Sequence, residues 1–240
     1  MENNNIEYNN EEIVPENVEE TNPEVESSPN PSRFDWKKEL REWVVAIVTA
    51  VILAFFIRTF IFTLVQVSGP SMENTMFTGD RLVVTKLGYE PEQGDIVVLV
   101  PDQHPDEPYI KRVIATEGQT VDIDYRNGIV YVDGNVYEED YIKAPTTAGY
   151  DVKFPITVPE DCVFVMGDNR PASHDGRSLD VSSIKTKDVS PDDYYMTYVD
   201  EKSGEIKNVP IYYGCVHEDD ILGKAQFRLW PLNSFGSLYK

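Results

Sequence analysis

The sequence predicts a mainly β protein: an antiparallel-sheet domain preceded by one N-terminal transmembrane helix. Three observations carry this. Residues 43–57, "WVVAIVTAVILAFFI", are apolar without a charge, and with the residues that follow they reach the ~20 needed to cross a bilayer. Past Val67 the chain breaks into short segments rich in Val, Ile and Tyr, separated by Gly, Asp, Asn or Pro. No long amphipathic helical pattern follows Val67.

The N-terminus comes first. Residues 1–32 hold nine Glu and no Lys, Arg or Asp, with many Asn and Pro. Such a stretch buries too little apolar surface to offset chain entropy, so 1–36 reads as a disordered acidic tail. The formal net charge is −21, and the rest of the chain still carries −12 once the tail's nine charges are set aside. No basic patch exists, which argues against a nucleic-acid partner. No internal repeat is present.

Residues 37–65 read as a membrane anchor with a basic flank. Arg58 lies near one end of the span, where its side chain reaches the headgroups. A buried helix of a soluble protein is usually shorter and more polar. A cleaved secretory signal lacks a 42-residue acidic lead and ends on small residues, which this run does not. Lys37, Lys38 and Arg41 precede the span, and Glu73 and Asp80 come before Arg81 after it. The positive-inside bias then puts the N-terminus in the cytoplasm and 66–240 outside the cell membrane, on a single pass.

The outer part reads as strands in order: "RLVVTKL", "DIVVLV", "YIKRVIA", "TVDID", "GIVYVDG" and "CVFVMGD". Asp133-Gly134 is a favoured hairpin turn. Residues 182–213 are polar and mixed, an excursion that itself resembles a hairpin turning near Ser203-Gly204. Cys162 and Cys215 lie on the side where a disulfide is permitted, yet read better as two small buried hydrophobes.

Ser71 follows the anchor in "SGPSMENTM" and needs a base to become a nucleophile. Three histidines are available. His104 and His217 sit in a proline-rich loop and a charged turn, and only His174, in "RPASHDGRS", is a plausible partner. A lysine serves instead if burial lowers its pKa from about 10.4. Lys111 in "PYIKRVIA" and Lys86 in "RLVVTKLGY" both lie in apolar strands, where a solvated Lys is the ordinary alternative.

"SGPSMENTM", "GDRLVVTK", "YIKRVIATEGQTV" and "VMGDNRPASHDGR" follow the anchor in this order, and "DDILGKAQFRLWPLNSFG" closes the chain. Together they resemble bacterial type I signal peptidase, a membrane-bound Ser/Lys peptidase of the S26 family. The resemblance covers 43–236 apart from the excursion. It implies a serine endopeptidase that cuts signal peptides from exported preproteins, with no cofactor or metal. It implies Ser71 as nucleophile and Lys111 as general base, leaving Lys86 structural and His174 without a catalytic role. Asp168, Asn169 and Arg170 fall in the family's Gly-Asp-Asn-Arg segment, Ser173 on the serine that helps orient the lysine, and Asp175 and Arg177 on the pair that braces the site. Substrate would lie extended beside Val67, Gly69, Pro70 and Met72, with small side chains at −1 and −3. Gly69 excludes the side-chain oxyanion donor that some members carry there, and Ser68 reads as a turn residue. Asn74-Thr75-Met76 replaces the common Pro-Thr-Leu, Gly176 the serine between Asp175 and Arg177, and Glu117 and Gln119 a usual Pro and Asp. These departures bear on fine geometry and substrate preference. A LexA-like self-cleaving protein shares the Ser/Lys pair but not the anchor. A non-catalytic assembly factor for surface proteins would be expected to lose Ser71 or Lys111.

Overall fold

The computed structural model describes residues 35–101, 105–186, 189–200 and 203–239; the acidic tail 1–32 and His104 lie outside them. Helix α1 (Trp36–Phe56) is followed by a π-helical turn, Ile57–Ile61. The run is long and apolar enough to cross a membrane, and none of its residues is buried against protein. It passes without a loop into strand β1 (Phe62–Gln66). That strand falls inside the segment 37–65 assigned to the anchor from sequence, so the sheet begins before residue 66. Its residues alternate between exposed and half-buried, the period of a strand with one covered face.

The expected strands follow: β2 (Arg81–Thr85), β3 (Ile96–Leu99), β4 (Tyr109–Thr116), β5 (Thr120–Asp124), β6 (Ile129–Val132), β7 (Asn135–Val136), β8 (Ile156–Thr157) and β9 (Cys162–Met166). Then come β10 (Tyr194–Val199), β11 (Ile206–Ile211), β12 (Cys215–His217), β13 (Ile221–Trp230) and β14 (Gly236–Ser237). The main sheet runs β1-β2-β13-β3-β4-β9-β12, with β14 against β13, and β1 forms its edge. All its pairings are antiparallel.

Strand β3 is buried at every position, as a continuous Ile-Val-Val-Leu run requires of a central strand. Its alternate residues feed two cores. Ile96 and Val98 join Val67, Met72, Met76, Leu82, Val84, Ile110 and Ala225 on one face. Val97 and Leu99 join Val113, Val163, Val165, Val181 and Val216 on the other. A second sheet, β7-β6-β5-β8, closes on Phe164, Met166 and both cysteines.

The β6–β7 hairpin turns on Asp133 (φ 51°) and Gly134 (φ 76°). Two consecutive left-handed residues give the type I′ turn that Asp-Gly favours. Strands β10 and β11 form a separate two-stranded ribbon, the hairpin expected within 182–213. It is stitched at its base by Ser183 N–H to Cys215 O (3.0 Å) and Tyr212 N–H to Ser183 O (2.8 Å). Both cysteines are buried and free. Cys162 pairs opposite His217 and Cys215 opposite Phe164, so the two are offset by two residues. Burial raises both thiols, that of Cys162 to about 12.

Candidate active site

Where β1 ends, backbone bonds close a loop: Val67 N–H to Asp80 O (2.8 Å) and Gly79 N–H to Val67 O (2.9 Å). Gly69 lies at φ 88°, a left-handed conformation that most side chains resist. The chain then coils into one tight turn, Glu73 N–H to Pro70 O (3.0 Å) and Met76 N–H to Met72 O (2.9 Å). Met72 and Met76 anchor that turn in the core. Ser71, at its start, stays half-exposed.

Lys111 enters from β4, opposite Val97. It is 3% exposed although it is a lysine. Its Nζ lies 3.2 Å from Ser71 Oγ and 3.2 Å from Ile110 O, and 5.3 Å above the Tyr109 ring. Burial lowers its pKa from 10.5 to about 8; nearby Asp175 and Asp168 oppose that shift and Arg177 assists it.

The segment 167–177 braces Ser71 from behind. Asn169 N–H bonds Ser71 O (2.9 Å), and Asn169 Nδ2 bonds Pro70 O (3.0 Å). A Cβ at Gly167 would stand 2.5 Å from Ser71 O and 2.2 Å from Ser173 Oγ, so only glycine fits. Asp175 grips Arg177 through Nε (2.8 Å) and Nη2 (2.9 Å), both fully buried, and accepts the Gly167 N–H (3.0 Å). Burial pushes the Asp175 carboxyl up, but the Arg177 hydrogen bonds and charge outweigh it and hold it below the usual range. Arg177 also donates to the Ala148, Arg170 and Ser173 carbonyls.

Asp168 bonds Arg112 in fork geometry (2.9 and 2.7 Å) and accepts the Thr75 hydroxyl. Arg170 pairs with Glu139 and bonds Gly167 O (3.0 Å). Arg112 and Glu139 carry no signal of this role in the sequence, because their partners lie 56 and 31 residues away. Arg112 follows Lys111 in β4, so it faces the opposite side of the sheet.

Ser173 is buried against Gly167. Its hydroxyl lies close enough to Asp175 to help hold that carboxyl low, and makes no hydrogen bond to Lys111. Lys86 sits half-buried at the end of β2, its N–H on Ile61 O (2.9 Å). His174 is exposed and pairs with Asp180 (3.1 Å), and His217 pairs with Asp219 (3.5 Å). Neither takes part in the Ser71–Lys111 contact.

A groove of about 490 Å³ opens over the Ser-Lys pair. Val65, Val67, Ser68 and Met72 from the segment around Ser71 line it, together with Asp106, Glu107, Tyr109 and Ile110 from the segment leading to Lys111. Val67 and Met72 are thus among its lining residues, whereas Gly69 and Pro70 shape the turn without lining it. A hollow of similar size, about 470 Å³, lies at the base of the β10–β11 ribbon and contains neither Ser71 nor Lys111.

The family model described as "Signal peptidase, peptidase S26" matches residues 40–230. The chain belongs to this family. It is therefore a serine peptidase that cleaves signal peptides from exported preproteins. The self-cleaving and non-catalytic readings are not favoured. A probable signal peptidase I-2 of Synechocystis is 32% identical over 92% of this chain and 84% of its own. Signal peptidase IB of Staphylococcus aureus is 31% identical over 83% of this chain and 94% of its own. A crystal structure of a signal peptidase I from Enterococcus faecalis aligns with 57% of this chain and 98% of its own, at 22% identity and a TM-score of 0.35, too low to bear on the assignment.

Proposed function

We propose that Ser71 is the nucleophile and Lys111 the general base of this signal peptidase. The observation that carries the reading is the 3.2 Å approach of Ser71 Oγ to a buried lysine whose pKa is lowered to about 8. Neutral Lys111 accepts the Ser71 proton as Oγ attacks the peptide carbonyl. The resulting ammonium hands the proton to the departing amine, leaving an acyl-enzyme. Lys111, neutral again, deprotonates a water that releases the signal peptide. The Ser71 N–H is the donor for the oxyanion. Asn169 holds the Ser71 carbonyl, and the Asp175–Arg177 pair fixes the segment that carries Asn169.

The substrate enters extended along the edge strand β1, whose outer side is unpaired within the sheet. Val67 and Met72 line the groove with apolar surface for small side chains near the cut bond. Exposed Leu64, Phe227, Trp230, Leu232 and Phe235 suit contact with a lipid surface, and helix α1 the span itself. The segment before α1 is a cytoplasmic tail, and the sheet domain from β1 onward is the extracytoplasmic catalytic domain; loss of an N-terminal tag to protease added outside intact cells would reverse that orientation. Nucleic acid is not a partner of this acidic chain.

The test is cleavage of a signal-peptide substrate by the purified full chain. Ser71→Ala and Lys111→Ala should each abolish it, and Lys86→Ala and His174→Ala should retain it. Near-normal cleavage by Lys111→Ala with loss in His174→Ala would replace the lysine by a histidine site.

A further inference from the structure

Asn74 stands three residues after Ser71, in the turn that carries it. Its backbone lies at φ 94°. Proline is locked near −65° and cannot take that conformation. A non-glycine residue held there persists only when its surroundings determine it.

The surroundings are on hand. Asn74 Nδ2 donates to Tyr141 O (2.9 Å) and reaches Ile142 O (3.4 Å). The Tyr141 ring lies 3.9 Å from the Arg112 guanidinium carbon. Arg112 holds Asp168, and Asp168 accepts the hydroxyl of Thr75, the residue after Asn74. Lys143 donates its N–H to Asp168 O (2.9 Å) and pairs through Nζ with Glu73 (2.5 Å), the residue before Asn74. Asn169 continues the ring to Ser71 O. The turn bearing Ser71 is thereby tied through segment 139–143 to Arg112, the residue next to Lys111 on β4.

We infer that Asn74 is a positioning residue: its left-handed backbone and side-chain amide latch the nucleophile's turn to the strand that carries the base. The inference rests on the assignment of Ser71 and Lys111. The latch acts on the serine's approach to the lysine and leaves the groove that receives the peptide untouched, since Asn74 does not line it. Its loss should therefore fall on kcat and not on KM.

Asn74→Gly is the discriminating variant, because glycine keeps the positive φ and deletes only the amide. Asn74→Asp keeps size and tolerance of that φ but sets a carboxylate against two carbonyl oxygens. Both full-length variants would be compared with the wild type in detergent for kcat and KM on a signal-peptide substrate. The rate at which a small serine-directed phosphonate modifies Ser71 reports the serine's reactivity without a bound peptide. The expected result is a kcat about tenfold lower in Asn74→Gly, equivalent to about 1.4 kcal/mol, with KM within about twofold. Ser71 modification should slow in parallel, and Asn74→Asp should be no better. Wild-type kcat and modification rate in Asn74→Gly, even with a lowered melting temperature, would reduce Asn74 to a structural role and overturn the latch. Full activity in Asn74→Pro would overturn it as well. Ser71→Ala is run beside them: if it still cleaves, the dyad assignment has failed; if it is inactive while Asn74→Gly is normal, only the latch has.

Discussion

Replacing Lys111 by Met should make the protein inactive and more stable at once. Lys111 is buried, and the fall of its pKa from 10.5 to about 8 means that the folded state disfavours the ammonium by about 3 kcal/mol. Methionine has a similar length and no charge to desolvate. The contacts to Ser71 Oγ and Ile110 O are lost, which returns about 1 kcal/mol. The net gain at pH 7 is about 2 kcal/mol, or about 4–8 °C in Tm for a domain of this size. The sign follows from proton counts. Between pH 8 and 10.5 the unfolded chain binds more protons at this site than the folded one, so wild-type stability climbs with pH. The destabilisation is complete below pH 8 and gone above 10.5, and the advantage of Lys111→Met shrinks over that window. Thermal unfolding of the full chain in detergent at pH 7 and pH 10, followed by tryptophan fluorescence, reads both effects. A Met variant that melts at or below the wild type at pH 7, or whose advantage is the same at both pH values, would refute the claim that this lysine is held against its charge.

Four further outcomes follow from the same geometry. Cleavage by the wild type should rise with pH through about 8, since only about one Lys111 in ten is neutral at pH 7, and a flat kcat profile from pH 6.5 to 9 would contradict the lysine's role. Asp175→Asn should cost about 3–5 kcal/mol in denaturant unfolding, because the buried Arg177 guanidinium keeps its charge and loses its counter-ion. Gly167→Ala should lower kcat about 100-fold, as a methyl 2.5 Å from Ser71 O forces the serine off its position by a fraction of an ångström or more; wild-type kcat would show that the brace yields. Replacing 190–208 by a short Gly-Ser linker should leave cleavage of a short signal peptide within about tenfold, because neither Ser71 nor Lys111 bonds to the ribbon and the stitched base at Ser183 and Tyr212 is kept; a larger loss in a variant with wild-type circular dichroism would place the ribbon in the substrate's path.

The strands were legible because their signal is local: a run such as Ile-Val-Val-Leu at β3, or Asp133-Gly134 between β6 and β7, contains what forms it. That Ser71 and Lys111 meet was legible through motif order, and the lysine's apolar neighbours on β4 were the only chemical sign of a lowered pKa. What escaped is the ring of partners. Arg112 with Asp168, Arg170 with Glu139 and Asn74 with Tyr141 each join segments distant in sequence, and a charged or amide side chain looks the same in a string whether it meets water or a carboxylate. The anchor's end escaped for a different reason. "TFIFTLVQV" is apolar enough to continue a helix, and only pairing of Phe62–Gln66 with β2 makes it a strand.

Strand β4 sets Lys111 opposite Val97 and Arg112 opposite Ile96, on opposite faces of the sheet. A slip of one residue in that pairing would exchange the two. The groove would then receive a guanidinium, permanently charged and useless for taking a serine's proton, while Asp168 would face a lysine unable to fill its two-pronged fork. A copy with that slip would have no buried lysine beside Ser71. The order Lys-Arg along β4 thus ties a buried lysine beside Ser71 to a single register of the sheet.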